Sequence, residues 1–445
     1  MKGPRRTLIV GAAGRDFHTF NTIFRQDADH RVVGFTSREY CVDDSGTYPA
    51  TLAGPLYPDG VPILPEVALE ELIVHLRVDD VVFAYTETRQ EEVGQLASRV
   101  LAAGADFRMI APARLMLPTS RPVIAVSAAR AGAGKSPTAS YLAELLLRDG
   151  WRVAVVRHPR QHHPFDNTYP VDHLSTTTQK TDAPVCRDEV SPAGSDPVPV
   201  FSGVDYQAVL TAAEAEADVL IWDGSGSDPP FLRPRLHLVL VDPLRADGAV
   251  EYFPGEVCLR LADAILINKC DTVPADRISS LVEALGQINP AAQVFTADSP
   301  VTVDGAELLT GRTVVILEEG DSLRLDSIRP GAGTEAARRS GVAAIINPKP
   351  YATGSLARFY RRNPAAQVLP VLGDTPDDLA ELGQALAAVP SEAIIDASRR
   401  DLSDLLPDRP VARAFYSLRP HDPDGLAALA RQAVRHRFAS ADRIR

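Results

Sequence analysis

Four cysteines in 445 residues, at positions 41, 186, 258 and 270, form no CxxC pair and no metal-ligand spacing. Their scarcity excludes a disulfide-stapled scaffold and a cysteine-held metal centre, and it fits a reducing compartment. Long apolar runs are missing too, so no membrane-spanning segment is expected. The opening MKGPRRTLIVGAAG carries charge, but its apolar run is too short for a signal peptide or anchor. A cytoplasmic protein without a membrane partner is expected. Positive charge is in deficit: 46 Lys and Arg stand against 58 Asp and Glu, with no basic block and no basic–aromatic interleaving. A nucleic-acid partner is therefore not expected, although an acidic chain can still carry a local basic pocket for phosphates. Solenoid-type repeats are absent. What remains is an ordinary globular composition, 45% hydrophobic and 23% charged, long enough for about two to four domains.

One stretch organises the rest. Arg121 to Asp149 reads as a buried strand (Val123–Val126), a glycine loop (Gly132, Ala133, Gly134), and a helix with Leu142, Leu145 and Leu146 at helical spacing. A strand, a loop closing on Gly134-Lys135-Ser136, and a helix form the arrangement that cradles a nucleoside triphosphate. Loop N–H groups and the helix N-terminus face the phosphates, Lys135 reaches the outer oxygens, and the Ser136 hydroxyl is placed for Mg²⁺, with Pro137 following in the first turn. The P-loop pattern asks for glycine at 129, where the chain has Ala129, so that turn must keep an ordinary φ. Arg130 occupies the loop's second position.

Three later strand ends complete the nucleotide pattern. Trp151–Val156 ends at Arg157-His158, near where phosphates would lie. Asp218–Trp222 closes on Asp223-Gly224, a Walker B position for holding Mg²⁺ beside Ser136, with Asp242 after Leu238–Val241 in reserve. Ser225–Pro230 resembles a switch loop. Ala262–Ile267 runs into Asn268-Lys269-Cys270-Asp271, the N-K-x-D pattern. There the Asp271 carboxylate can accept from the paired N–H donors of guanine while Asn268 braces the loop. Asp298, in Phe295–Pro300, belongs to a second base-contacting loop. The stretch 160–200 reads as a long loop or lid. Its His158, His162, His163, Asp166, Asp172 and His173 fit no fixed metal-ligand pattern.

Alternating strands and helices continue on both sides, which predicts parallel, doubly wound sheets. Before the P-loop, strands are expected at Thr7–Val10, Arg31–Thr36, Asp80–Ala84 and Asp106–Ile110. Gly11–Gly14 forms a candidate phosphate turn that lacks a third glycine, and Asp43–Pro65 reads as an irregular loop. After the P-loop segment, strands are expected at Val314–Glu318, Ala343–Ile346, Val368–Val371, Ala393–Asp396 and Ala412–Tyr416. Gly331-Ala332-Gly333 opens a helix there, and Lys349 lies in a loop. A terminal amphipathic helix follows Pro420.

Several blocks in one order carry a family resemblance: GAAGRDFHTFN (Gly11–Asn21), LAGPLYPDGVPI (Leu52–Ile63), VVFAYTE (Val81–Glu87), AARAGAGKS (Ala128–Ser136), VAVVRHP (Val153–Pro159), FSGVDY (Phe201–Tyr206), NKCD (Asn268–Asp271) and ADSPVTVD (Ala297–Asp304). The chain resembles the predicted P-loop GTPases related to cyclic 2,3-diphosphoglycerate synthetase over almost its whole length. The resemblance implies an α/β protein with a central P-loop NTPase domain of the dimeric class (121–312). Two Rossmann-like α/β domains (1–118 and 313–445) would flank it. It also implies dependence on Mg²⁺ and on GTP or ATP, a homodimer, and a small anionic phosphorylated or carboxylate metabolite as acceptor. In that dimeric class a Lys at the position of Arg130 reaches into the partner's site. Arg15, Arg130, Arg157 and Lys349 are the cations available for an anionic acceptor.

The departures from those relatives bear on the acceptor: Ser225-Gly226-Ser227 replaces a Gly-Asn-Asn-type sequence, the lid is shorter and richer in Pro and Ser, and Leu325–Pro330 lacks the usual His, Gly and Tyr. Three readings stand: a nucleotide-driven ligase or kinase-like enzyme acting on a small anion, a regulatory or chaperone-type GTPase switch, and a binding module without hydrolysis. Lys135, Ser136 and Asp223 argue against the third. Two flanking α/β domains with glycine-rich strand ends favour an acceptor pocket, and so the first.

Overall fold

The computed structural model describes residues 3–12, 14–38, 46–157, 186–190, 198–224, 226–248, 251–319, 331–373, 376–398, 402, 405 and 408–435. Residues 3–157, 186–298 and 420–435 make one compact unit and 299–419 a second.

The first unit holds two large sheets and a two-stranded antiparallel ribbon, Thr88–Arg89 with Tyr252–Phe253. In the first, strands run in the order Gly46–Tyr48, Val61–Pro65, His30–Ser37, Arg5–Val10, Asp80–Phe83 and Asp106–Met109. All pair in parallel except Gly46–Tyr48 against Val61–Pro65. The crossover helix Gln90–Ala102 joins Asp80–Phe83 to Asp106–Met109. The segment 43–65 is less irregular than expected. Pro49, Pro55 and Pro58 lie outside the strands, but Tyr48, Ala53, Tyr57, Val61 and Ile63 are buried and draw two strands and a short helix, Ala50–Ala53, onto the sheet. Phe17, Phe20 and Phe24 pack beside them from Arg15–Thr19 and the wider π-type turn Phe20–Phe24.

The second sheet has the P-loop strand at its centre. The order runs Cys186–Val190, Val198–Ser202, Val153–Arg157, Val219–Asp223, Val123–Ala128, Leu236–Val241, Ala264–Ile267 and Gln293–Asp298. Among these eight strands only Cys186–Val190 is antiparallel to its neighbour. Every residue of Val123–Ala128 is buried, as a parallel strand covered on both faces demands. Each such Val or Ile contributes about 1.5–3 kcal/mol relative to exposure. Phe201, Tyr206, Val209 and Trp222 fill one side, and Cys258, Leu259, Leu281 and Leu285 pack around Val239 and Ile265. The stretch 160–200, expected as loop, contains Cys186–Val190 and the start of Val198–Ser202. Its histidines and Asp166 and Asp172 lie outside the described residues, as does Leu325–Pro330. Strand order reverses beside Val123–Ala128, the kind of crevice where open α/β sheets take ligands.

Helix Pro423–Arg435 belongs to this unit, burying Leu426, Ala427, Ala430 and Val434. Its Arg431 clasps Asp149, just past the P-loop helix, through bonds of 2.7 and 3.0 Å.

The second unit is a sheet of Val301–Asp304, Val411–Tyr416, Ala393–Ala397 and Thr313–Glu319. Both Ala344–Ile345 and Leu369–Val371 pair with the last of these. Only Val301–Asp304 is antiparallel. Among the described residues no helix is long and apolar enough to cross a membrane.

Candidate active site

The P-loop is built by close approach. Ala129 donates its N–H to Leu240 O at 2.9 Å, and its φ is not among the positive values, which within the described non-glycine residues belong to Arg77, Glu87 and Lys269. Here a different glycine admits the backbone, since a Cβ on Gly255 would fall 2.1 Å from Ala129 O. Gly134 needs its glycine twice over: its φ is +103°, and a Cβ would sit 2.3 Å from Asn268 Nδ2. Helix Lys135–Arg148 starts at once, with Lys135, Ser136 and Pro137 in its first turn. Its N-terminus favours an anion. Pro137 has no N–H, so it offers contact there rather than a donor.

Lys135 Nζ donates to Gly226 O at 2.6 Å, bringing the loop after Asp223 against the P-loop. Burial pushes the Lys135 pKa down, and the charges of Asp223, Glu87 and Asp228 push it back up. Asp223 ends the neighbouring strand, in register with Val126 on one side and Arg157 on the other. Ser136 and Asp223 supply a hydroxyl and a carboxylate. Such hard oxygen donors suit Mg²⁺ when phosphate and water complete the shell. Among the described residues no group of three or more His, Cys, Asp and Glu forms a rival metal site.

The base end is braced differently from what the N-K-x-D pattern alone conveys. Asn268 is fully buried and donates Nδ2 to Ala133 O at 2.8 Å. Lys269 adopts φ +61° and donates Nζ to Gly132 O and to Asp242 Oδ2, both at 2.6 Å. The other oxygen of Asp242 accepts from Leu244 N at 3.0 Å. Asp242 is thereby committed to bracing, which removes it as the reserve metal ligand. Asp271 is exposed. Burial pushes the Cys270 thiol up to about 11, and the charges of Asp298 and Asp271 add to the rise. Asp298 Oδ1 meets His421 Nε2 at 2.9 Å, so the segment entering the last helix reaches this edge as well.

Glu87, after the first-sheet strand Asp80–Phe83, and Tyr252 add contacts that the sequence motifs did not single out. Glu87 accepts from Ala131 N at 2.8 Å and from Arg130 Nε at 3.2 Å. The Arg130 guanidinium lies 3.4 Å over the centroid of the Tyr252 ring. Glu87 closes the VVFAYTE block at a strand's carboxyl end, which was its one signal in the sequence; Tyr252 and Gly255 had none. Arg15 is 5% exposed, and its pKa is pushed down by burial and back up chiefly by Asp228. The candidate phosphate turn beside it is filled, because Asp16 Oδ1 accepts from Gly14 N and Phe17 N at 2.8 and 2.7 Å. In the second unit the turn at Gly331–Gly333 is filled likewise, Thr334 N donating to Glu318 Oε1 at 3.0 Å. Lys349 there donates to Pro364 O.

Comparison with known proteins then decides the family. Residues 192–297 match the P-loop domain of cyclic 2,3-diphosphoglycerate synthetase. Arginine synthetase ArcE of Thermococcus kodakarensis is 40% identical over 423 residues, 94% of each chain. The chain belongs to the ArcE family. That family is related to cyclic 2,3-diphosphoglycerate synthetase, whose Methanothermobacter thermautotrophicus protein is 31% identical over 88 residues, 19% of each chain. Among solved structures, LpxK from Aquifex aeolicus in complex with ATP aligns at 14% identity over 72% of this chain and 90% of that one, with a TM-score of 0.43. The chain is thus a P-loop, nucleotide-binding enzyme of the ArcE-type synthetases.

Proposed function

We propose that this ArcE-family enzyme is a Mg²⁺-dependent synthetase that uses ATP or GTP to make arginine from a ureido amino acid and ammonia. The observation that carries the reading is the match along 94% of both chains to a protein named arginine synthetase. The cyclic 2,3-diphosphoglycerate synthetase cited above shares only 19% of its length, which supports a common nucleotide end rather than a common acceptor.

The chemistry follows from the product. To become a guanidinium carbon, a ureido carbon must exchange its oxygen for nitrogen. The γ-phosphoryl group passes to the ureido oxygen and the nucleoside diphosphate is left behind; ammonia attacks the carbon, and phosphate leaves with that oxygen while the surplus proton goes to solvent. Gly132, Ala133, Gly134 and Lys135 hold the β- and γ-phosphates, and Pro137 packs beside them. Ser136 and Asp223 hold Mg²⁺, which neutralises phosphate charge. Arg130 and Arg157 face charge developing in transfer. Asn268 and Lys269 brace the loop under the base, and Asp271 and Asp298 contact its edge, Asp271 favouring guanine over adenine. The working molecule is a cytoplasmic homodimer of the dimeric P-loop class.

The test supplies ATP or GTP with Mg²⁺, ammonium and a panel of ureido and phosphorylated acids including 2,3-diphosphoglycerate, and measures arginine and phosphate. One arginine per phosphate is expected. Phosphate release that no ureido acid stimulates, with no arginine formed, overturns the proposal.

A further inference from the structure

We propose that Glu87 and Tyr252 form a cradle for a planar guanidino or ureido group beside the γ-phosphate position, and that the chain's own Arg130 fills this cradle in the present conformation. The proposal rests on the arginine-forming reading for its physiological ligand, but not for its test.

The cradle has a face, an edge and a fixed orientation. Tyr252 supplies the face: the Arg130 Cζ stands 3.4 Å from the ring centroid, a stacking distance for a delocalised planar cation. Glu87 supplies the edge, with Oε2 taking Arg130 Nε at 3.2 Å. Its other oxygen is pinned by Ala131 N at 2.8 Å, so the carboxylate is aimed by the P-loop itself. Glu87 is one of three described non-glycine residues with positive φ, at +56°. A bulky residue persists there only when its surroundings hold it, and such positions cluster at ligand clamps. The far wall is Gly226, where a Cβ would meet Glu87 Oε1 at 3.5 Å. The carbonyl of that same glycine accepts from Lys135. The cradle therefore adjoins the lysine that the P-loop offers to the outer phosphate. Both charged side chains are mostly enclosed, Arg130 14% and Glu87 21% exposed. Arg89, itself exposed, approaches the Tyr252 ring from 5.4 Å.

A carboxylate fork beside an aromatic face selects flat, N–H-rich groups over an ammonium point charge. Arg130 is such a group, and so are the ureido and guanidino ends of the substrate and product proposed above. When Arg130 turns to the transferring phosphate, a substrate of the same shape takes its place. The acceptor thereby arrives beside the γ-phosphate only when the arginine has left.

The test titrates methylguanidinium, with methylammonium as control, into the full chain carrying Mg²⁺ and ADP, and follows heat of binding. Arg130→Ala should bind methylguanidinium at least tenfold more tightly than wild type. Adding Glu87→Gln or Tyr252→Leu should abolish that gain, and methylammonium should show neither effect. Arg130→Lys, which keeps a cation but loses the planar fork, repeats the test should the alanine variant not fold. Equal binding in wild type and both Arg130 variants, an undiminished gain after Glu87→Gln, or an equal response to methylammonium overturns the cradle. Failure of the arginine-forming reading is seen separately, as no arginine in the synthesis assay.

Discussion

The turns around Gly11 and Gly14 and at Ala129–Ser136 both follow parallel strands, the first opening the short helix Arg15–Thr19 and the second the longer helix Lys135–Arg148, yet they hold their backbones in different ways. In the first, the donors are consumed from within. Asp16 Oδ1 takes two N–H groups, and a Cβ on Gly11 would fall 2.5 Å from Asp16 Oδ2. In the second, the loop is braced through its acceptors, Lys269 taking Gly132 O and Asn268 taking Ala133 O. A turn that carries its own carboxylate has its anion already. A turn gripped by its carbonyls spends fewer donors, although the P-loop gives Ala131 N to Glu87. The turn at Gly331–Gly333 follows the first pattern, with Glu318 as its carboxylate. Glycine count alone does not separate these cases; the groups that hold each turn's N–H and C=O do.

The largest effect that could break this comparison comes from Lys135→Ala. Phosphate release with nucleotide should fall on the order of 10³-fold or more, and undiminished turnover would mean that the braced loop is not the nucleotide site. Gly134→Ala should come next, because the added carbon strikes Asn268 and the φ of +103° resists it. Nucleotide affinity measured by calorimetry should drop by about 100-fold, and a normal affinity would show that the Asn268 brace is dispensable. Asp16→Ala should leave that affinity alone and lower unfolding free energy by about 1–3 kcal/mol, as two buried N–H groups lose their acceptor. If it weakens nucleotide binding while stability holds, the filled turn is a ligand site after all.

The smallest effect concerns Glu318. Burial raises its pKa, with Thr334 and Gly333 offsetting part of the rise. The folded protein then binds this proton at a pH where the unfolded chain has released it. Its contribution to stability is therefore greatest in acid and is lost as pH rises from the ordinary glutamate value through the raised one. Glu318→Gln should gain in Tm over wild type by a few degrees, on the order of 1 kcal/mol, above that window and not below it. A gap that does not change with pH would remove the buried charge from the account.

Much of this was legible because it is local. Val123–Ser136, Asp223 and Asn268–Asp271 announce themselves through an apolar strand and the residue types at its end, and they meet where strand order reverses. Asp43–Pro65 was misjudged because five prolines hid the buried alternation of Val61, Ile63 and Pro65. The role of Lys269 was unreadable because its partners, Gly132 and Asp242, are far apart in sequence. Glu87 and Tyr252 come from separate stretches and meet only after the first sheet docks beside the P-loop. Nor could glycine turns reveal that Asp16 and Glu318 would fold back into them, since a carboxylate near a turn is equally often turned to water.

The chain leaves the nucleotide-binding unit after Asp298 and re-enters it at Pro420. Its exit and return are neighbours, as His421 N donates to Thr296 O at 2.9 Å. A module whose exit and return lie side by side is an insertion in the architectural sense, and such modules are exchanged or removed without rethreading the host. Residues 299–419 can thus diverge on their own schedule, while the helix Pro423–Arg435 keeps its clasp on Asp149.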